Sequence, residues 1–128
     1  MPLPTTICQN CNKETTYHHG NYGKFCNHKC MGEYTRKQTW KRFETGDVKD
    51  RGTIRKLLLE SIGYCVECGI NEWKGFEIPL EVDHIDGNAG NNLPNNLRLL
   101  CPNCHSITPT WKAKNKGNGR AARGLKLY

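Results

Sequence analysis

The chain has 128 residues, of which 36% are hydrophobic and 13 are glycine, so it is long enough for one modest domain or two very small ones. Its formal net charge of +7 favours a polyanionic partner, because each basic residue placed near a phosphate releases condensed counterions. No apolar run approaches the roughly 18 residues of a membrane helix, and no secretory signal is recognisable, so we expect a cytoplasmic protein that does not bind membranes.

The cysteines divide into two groups of four, and none is left over. In a reducing compartment such groups hold metal more often than they form disulfides. We therefore expect two structural zinc sites, and their ligands are Cys8, Cys11, Cys26 and Cys30 for the first, then Cys65, Cys68, Cys101 and Cys104 for the second.

The first cysteine group predicts a zinc finger over residues 1–40, which is too short to fold by apolar burial alone. Three histidines, His18, His19 and His28, lie close to these cysteines in the sequence. Four thiolates are the preferred ligand set, and three cysteines with one of these histidines are the alternative.

Residues 41–52 are basic and contain glycine, which predicts a linker. Apolar residues then recur at helical spacing over residues 53–62. This pattern predicts an amphipathic helix, with Thr53 as its N-cap and Gly63 at its end.

Alternating apolar and polar residues predict a half-buried strand over residues 76–85, and Pro79 within it favours an edge position. Residues 86–96 are rich in glycine and asparagine, which predicts a loop. A second short strand is predicted at residues 97–100. Only a partial helix is expected after the last cysteine, because Pro109 interrupts it.

The second cysteine group consists of two Cys-x2-Cys pairs separated by 32 residues. Each pair forms a knuckle, and two knuckles complete the tetrahedron that structural zinc prefers. Zinc would then contribute folding free energy directly. A redox-active dithiol is the alternative interpretation of either pair.

Asp83-His84 and Asn96 lie between the two knuckles, and His105 follows the last cysteine. This order resembles the signature of the HNH endonuclease family, and the resemblance extends over residues 53–116. It implies a small, zinc-stabilised α+β domain with a treble-clef-like ββα-metal fold, which has two short antiparallel strands and a helix. Adjacent strand residues point to opposite faces of a sheet. The first strand must therefore end or bend at His84 if Asp83 and His84 are to act in one site.

The resemblance also implies the role of each polar residue. His84 would be the general base on water, and Asp83 and His105 would bind one catalytic divalent ion. Asn96 would fix the loop so that the base is oriented, with the asparagines at positions 92 and 95 as alternatives. A neutral imidazole suits proton abstraction near pH 7.

Mg²⁺ or Mn²⁺ is the expected catalytic ion, because a site with one oxygen and one nitrogen ligand keeps positions open for phosphate oxygens and water. Ni²⁺ or Zn²⁺ is also compatible with histidine. The implied reaction hydrolyses a DNA phosphodiester bond to a 5′-phosphate and a 3′-hydroxyl. One such site cuts one strand, so a monomer would nick DNA, whereas a homodimer or two successive events would cut both strands.

Double-stranded DNA is the expected partner. The basic side chains predicted to contact it lie on the second strand and near the end of the chain, at Arg98, Lys112, Lys114, Lys116, Arg120 and Arg123. Residues 117–128 predict a flexible basic tail.

Three hypotheses follow. The first is a metal-dependent HNH endonuclease, and the added finger favours the phage homing type, which would act in the cytoplasm of a bacterial host. The second is a non-catalytic zinc-finger protein that binds nucleic acid. The third is a redox protein that uses its Cys-x2-Cys thiols.

Overall fold

The computed structural model describes residues 4–16 and 24–111, and the chain divides into two compact units, Met1–Lys41 and Arg42–Tyr128. Several predictions therefore lie outside the described residues: those on His18 and His19, on the basic side chains from Lys112 onward, and on the tail at 117–128. No helix among the described residues has the length and apolar character of a membrane span.

In the first unit, strands β1 (Thr5–Ile7) and β2 (Glu14–Thr16) form an antiparallel hairpin. Helix α1 (His28–Glu44) follows. The Asn27 side-chain oxygen accepts a hydrogen bond from the backbone N–H of Cys30 (2.8 Å), as expected where a helix begins. This places one cysteine pair at the end of the hairpin and the other at the first turn of α1.

Helix α2 spans Arg51–Ser61 and buries Ile54, Leu57 and Leu58 on one face, which confirms the predicted amphipathic helix. The predicted N-cap was wrong: the cap is Asp50, whose carboxylate accepts from the backbone N–H (2.8 Å) and the hydroxyl (2.7 Å) of Thr53. These bonds hold the pKa of Asp50 below its ordinary value. Gly63 follows the helix with φ +77°, a left-handed conformation that glycine adopts without strain.

Residues 41–52, which the sequence predicts as a linker, consist of the end of α1, a loop, and the first residues of α2. A two-stranded hairpin, β3 (Glu72–Trp73) and β4 (Phe76–Glu77), comes next. The single strand predicted at 76–85 is divided in two by Pro79, which has no N–H to donate to a ladder.

Strand β5 (Glu81–His84) ends at His84, and strand β6 (Leu97–Leu100) pairs with it in antiparallel register, Asp83 opposite Arg98. The loop between them contains a short 3-10 turn at Pro94–Asn96. Helix α3 (Pro102–Ser106) begins directly after β6, because the Cys101 thiol caps it by accepting from the backbone N–H of Cys104 (3.4 Å). It is shorter than predicted and ends before Pro109.

Helices α2 and α3 both contact the β5–β6 pair, so the second unit is a small α+β structure. Its core contains apolar side chains from α2, from β6 and from Leu80 just before β5, and Leu99 and Leu100 are fully buried. The core is small, and the elements that carry Glu81, Asp83, Arg98 and His105 contact one another beside it.

Candidate functional site

The four sulfur atoms of Cys65, Cys68, Cys101 and Cys104 all lie within 4.8 Å of one another. The Cys68 and Cys101 sulfurs are 3.7 Å apart. Sulfurs bound to one tetrahedral zinc at about 2.3 Å would be roughly 3.8 Å apart, so the cluster fits a zinc ion without rearrangement.

The thiols of this cluster differ in acidity. Burial raises the pKa of Cys65, but backbone N–H groups of Cys101, Cys68 and Glu67 outweigh it and lower the pKa to about 6. The hydrogen bond with Cys101, together with burial, raises the pKa of Cys104 to about 12. One thiolate therefore forms readily, whereas four thiolates side by side require a cation to neutralise them.

The first cysteine cluster has the same form, with 3.7 Å between the Cys11 and Cys26 sulfurs and 3.5 Å between those of Cys26 and Cys30. Burial raises the pKa of Cys8, but hydrogen bonds from backbone N–H groups together have the larger, opposite effect and lower the pKa to about 6. Among the residues that the structure describes, the cluster includes four cysteines and no histidine, and His28 is not part of it. The convergence of four sulfurs supports the four-thiolate ligand set, whereas His18 and His19, named in the alternative, lie outside the described residues.

A separate cluster of polar side chains surrounds Asp83, which is only 4% exposed. Its Oδ2 accepts a hydrogen bond from Arg98 Nε (2.7 Å), and its Oδ1 lies 3.4 Å from His105 Nε2. Antiparallel pairing sets the first contact, because Arg98 is opposite Asp83 in the β5–β6 register. The second contact arises because α3 starts directly after β6 and turns His105 back over β5.

The other side of the His105 ring is also held in place. Its Nδ1 lies 2.7 Å from Glu81 Oε2, and the ring of Trp111 meets it edge-on with centroids 4.7 Å apart. An ionised carboxylate only accepts hydrogen bonds, so Nδ1 donates to Glu81, and this contact orients the ring with Nε2 facing Asp83. Metal-binding histidines are typically oriented in this way by a carboxylate.

Asp83 Oδ1 and His105 Nε2 can hold a divalent cation between them. Two donors at about 2.1 Å from an ion, in adjacent octahedral positions, are roughly 3 Å apart. The observed 3.4 Å requires only a small closure. The two atoms therefore fit a shared ion, and they leave most of its coordination positions for other ligands.

His84, the last residue of β5, is half-buried and forms a hydrogen bond between its Nε2 and Asn92 Oδ1 (2.9 Å). Asn92 is itself buried, at 8% exposure. Asn95, the other alternative named from the sequence, is exposed. The asparagine in contact with the imidazole is thus Asn92.

Asn96 has a different position. Its side chain accepts from the backbone N–H of Asp86 (3.0 Å) and donates to the Asp86 carboxylate (2.9 Å) and to the backbone oxygen of Asn91 (2.9 Å). These bonds tie the two ends of the loop together directly after His84. Hydrogen bonds from the Asn91 amide and the Asn88 backbone N–H are the largest causes that hold the pKa of Asp86 below its ordinary value.

A cavity of about 400 Å³ lies beside Glu81 and His105. Two arginines from the first turns of α2, Arg51 and Arg55, also line it. Arg55 Nε donates to the backbone oxygen of Leu80 (2.9 Å), which fixes the side chain while the outer guanidinium nitrogens stay available. The cavity therefore combines two cations with the surface that carries His105.

Sequence reasoning gave no site role to three of these residues, Glu81, Arg51 and Arg55, and it named Asn92 only as an alternative to Asn96. All three missed residues carried a signal. Glu81 is two residues before Asp83 on a strand and so shares its face, and the two arginines are four residues apart on one face of a helix. Only the folded chain shows that Asn92 contacts His84.

Arg98, predicted to contact DNA, has its guanidinium bound to Asp83 and, through Nη1, to Glu67 (3.0 Å). Its contact with DNA stays a prediction. The other predicted DNA contacts, from Lys112 to Arg123, lie outside the described residues.

Comparison with known proteins identifies the region that carries this site. The HNH endonuclease family matches residues 65–108. The chain is also 55% identical over 53 residues to the H-N-H endonuclease F-TflIV of Escherichia phage T5; the match covers 41% of this chain and 23% of that relative. No solved structure matches the chain significantly.

Proposed function

We propose, from the premise that this chain belongs to the HNH endonuclease family through residues 65–108, that the protein is a metal-dependent endonuclease that hydrolyses phosphodiester bonds of double-stranded DNA. The observation that carries the proposal is the convergence of Asp83 Oδ1 and His105 Nε2 at 3.4 Å, with Arg98 and Glu81 holding their far sides.

Asp83 and His105 would hold the catalytic ion, which is Mg²⁺ or Mn²⁺. When bound, the ion supplies positive charge to the phosphate oxygens as charge develops on them. Arg98 orients the Asp83 carboxylate, and Glu81 orients the His105 ring so that Nε2 faces the position of the ion. Two protein ligands leave room for the phosphate that must enter the site.

His84 is the general base. Asn92 Oδ1 accepts a hydrogen bond from Nε2, so Nδ1 is the nitrogen that takes a proton from the attacking water. Asn92 is a positioning residue for this imidazole. Asn96 supports it indirectly, because its three hydrogen bonds hold the loop that begins at Asp86.

Arg51 and Arg55 would bind DNA phosphates that flank the bond that is cut. They line the cavity next to His105, and a guanidinium matches the paired oxygens of a phosphate. Because Leu80 O already holds Arg55 Nε, little side-chain entropy would be lost when phosphate binds.

The rest of the assignment follows the family. Strands β5 and β6 with α3 would form a treble-clef-like ββα-metal unit, and both cysteine clusters would hold structural zinc. The products would be a 5′-phosphate and a 3′-hydroxyl. The chain would be a phage homing endonuclease that acts in the cytoplasm of the bacterial host, and the likeness to a phage H-N-H endonuclease supports the phage part of this proposal.

Incubation of the purified protein with supercoiled plasmid tests the function. We expect conversion to open circle in the presence of Mg²⁺ or Mn²⁺ and none without a divalent ion, measured by gel electrophoresis. Open circle that becomes linear only later would indicate independent nicks, whereas direct conversion to linear would indicate paired cuts. Plasmid that is bound but never cut would contradict the proposal and favour the non-catalytic hypothesis.

Glu81→Gln is expected to raise the metal concentration needed for half-maximal nicking by roughly ten- to a hundredfold, because the amide can present its N–H to Nδ1 and turn the imidazole away from the ion. A metal titration of the nicking rate measures this effect. Glu44→Gln, which removes an exposed carboxylate at the end of α1, is the matched control. An unchanged titration curve for Glu81→Gln would show that Glu81 does not orient His105 for metal binding.

A further inference from the structure

The hairpin of β3 and β4 carries two aromatic side chains that the fold leaves in solvent. Trp73 is 62% exposed and Phe76 is 75% exposed, and they are directly paired across the hairpin. Each could bury roughly 150–250 Å² in a complex. Two adjacent, exposed aromatic rings at the tip of one hairpin are unusual on the surface of a soluble protein, and they indicate a contact site.

The hairpin is built to hold these rings in a fixed position. Lys74 and Gly75 connect the strands with φ of 52° and 84°, the left-handed pair of a tight two-residue turn. At the root, the Ile78 N–H donates to the Asn71 oxygen (3.1 Å). Close by, the Cys65 N–H donates to the Ile70 oxygen (2.9 Å), which joins the hairpin to a cysteine knuckle.

The tip is close enough to the candidate site to meet the same DNA segment. Phe76 is seven residues before Asp83, and even a fully extended chain of this length spans at most about 25 Å. One turn of a DNA duplex is roughly 34 Å long. DNA held at Asp83 therefore lies within one helical turn of the two rings.

We infer that Trp73 and Phe76 form an aromatic wedge that stacks against bases of the DNA duplex within one turn of the cleavage site. The inference rests on the proposed function, because it takes DNA as the substrate. Flat aromatic faces stack on any base, and inserted apolar side chains partly unstack and kink a duplex.

The charges around the wedge fit an approach by the tip alone. Lys74, between the two rings, can meet a phosphate, whereas Glu72 and Glu77 sit opposite each other at the base of the hairpin and repel phosphates. Contact with the DNA is therefore limited to the tip, where the rings project. A bent or unstacked duplex would explain how the short strand β5 reaches a phosphate within a groove.

The double variant Trp73→Thr/Phe76→Thr removes both rings and keeps residues that favour strands. The matched control, Trp73→Phe/Phe76→Tyr, keeps two aromatic faces. Both are made in the full chain that also carries His84→Ala, so that DNA is bound without being cut. Zinc content and the unfolding midpoint of each variant are compared with the parent to verify that it is folded.

Affinity for a short random-sequence duplex is expected to fall about tenfold in the threonine variant and to change little in the aromatic control. The linking number of plasmid relaxed by a topoisomerase is expected to shift when the parent and the aromatic control bind, and not when the threonine variant binds. Equal affinity and equal linking-number shifts for folded threonine and aromatic variants would overturn the inference. So would a threonine variant that binds DNA normally but loses self-association, which would assign the tip to a second copy of the chain.

The two proposals fail separately. If the wild-type chain nicks plasmid and the threonine variant binds DNA normally, the wedge is wrong and the nuclease stands. If the wild-type chain never nicks but the rings are needed for DNA binding and the linking-number shift, the nuclease is wrong and the wedge stands.

Discussion

His84→Ala is expected to lower the rate of plasmid nicking by roughly a hundred- to ten-thousandfold, the range lost when a general base is removed. His84 ends β5, directly after the proposed metal ligand Asp83, and the hydrogen bond with Asn92 fixes the orientation of its ring. Alanine leaves no group that can take a proton from water. Affinity for DNA should remain, because the imidazole that serves as base is neutral and contributes no charge to phosphate binding.

The nicking rate is measured with saturating metal, and DNA affinity is measured separately on the same preparations. His28→Ala is the matched control, since His28 is an exposed histidine that is not part of the described cysteine clusters. It should nick like the wild type. Nicking by His84→Ala at the wild-type rate would exclude His84 as the base and would require another residue to activate the water.

Cys101→Ser is expected to abolish nicking by unfolding the second unit. Cys101 is 3% exposed, directly follows β6 and caps α3, which carries His105. A neutral hydroxyl cannot replace the thiolate, and zinc binding of this kind contributes on the order of 10 kcal/mol to folding in small zinc domains. The small apolar core of this unit cannot offset a loss of that size.

Elemental analysis and thermal unfolding measure the result. We expect about two zinc ions per wild-type chain, as paired four-cysteine sites require, and about one in the variant. Cys8→Ser is the matched control: it should also lose one zinc, yet retain the cooperative unfolding of the second unit. Full zinc content and activity in Cys101→Ser would contradict the structural role, and a wild-type chain without zinc would favour the redox hypothesis.

Much of the scaffold was predictable because its signals are local in the chain. Three predictions depend on residues that are neighbours in the sequence: the two groups of four cysteines, the amphipathic helix α2 and the short strand β6. The structure confirms each of them. The errors were local as well. Asp50 rather than Thr53 caps α2, because a carboxylate three residues upstream can accept both the N–H and the hydroxyl of Thr53.

The order of Asp83, His84, Asn96 and His105 between and beside the knuckles was sufficient, from sequence alone, to indicate the family and the residues of the site. Partners within the site required the tertiary structure. Glu81 contacts His105, which is 24 positions later in the chain, and Arg55 contacts Leu80, which is 25 positions later and just before β5. Both contacts form because α3 and α2 pack on β5. Side-chain contacts between distant segments depend on how the elements pack, and periodicity along the chain carries no information about that packing.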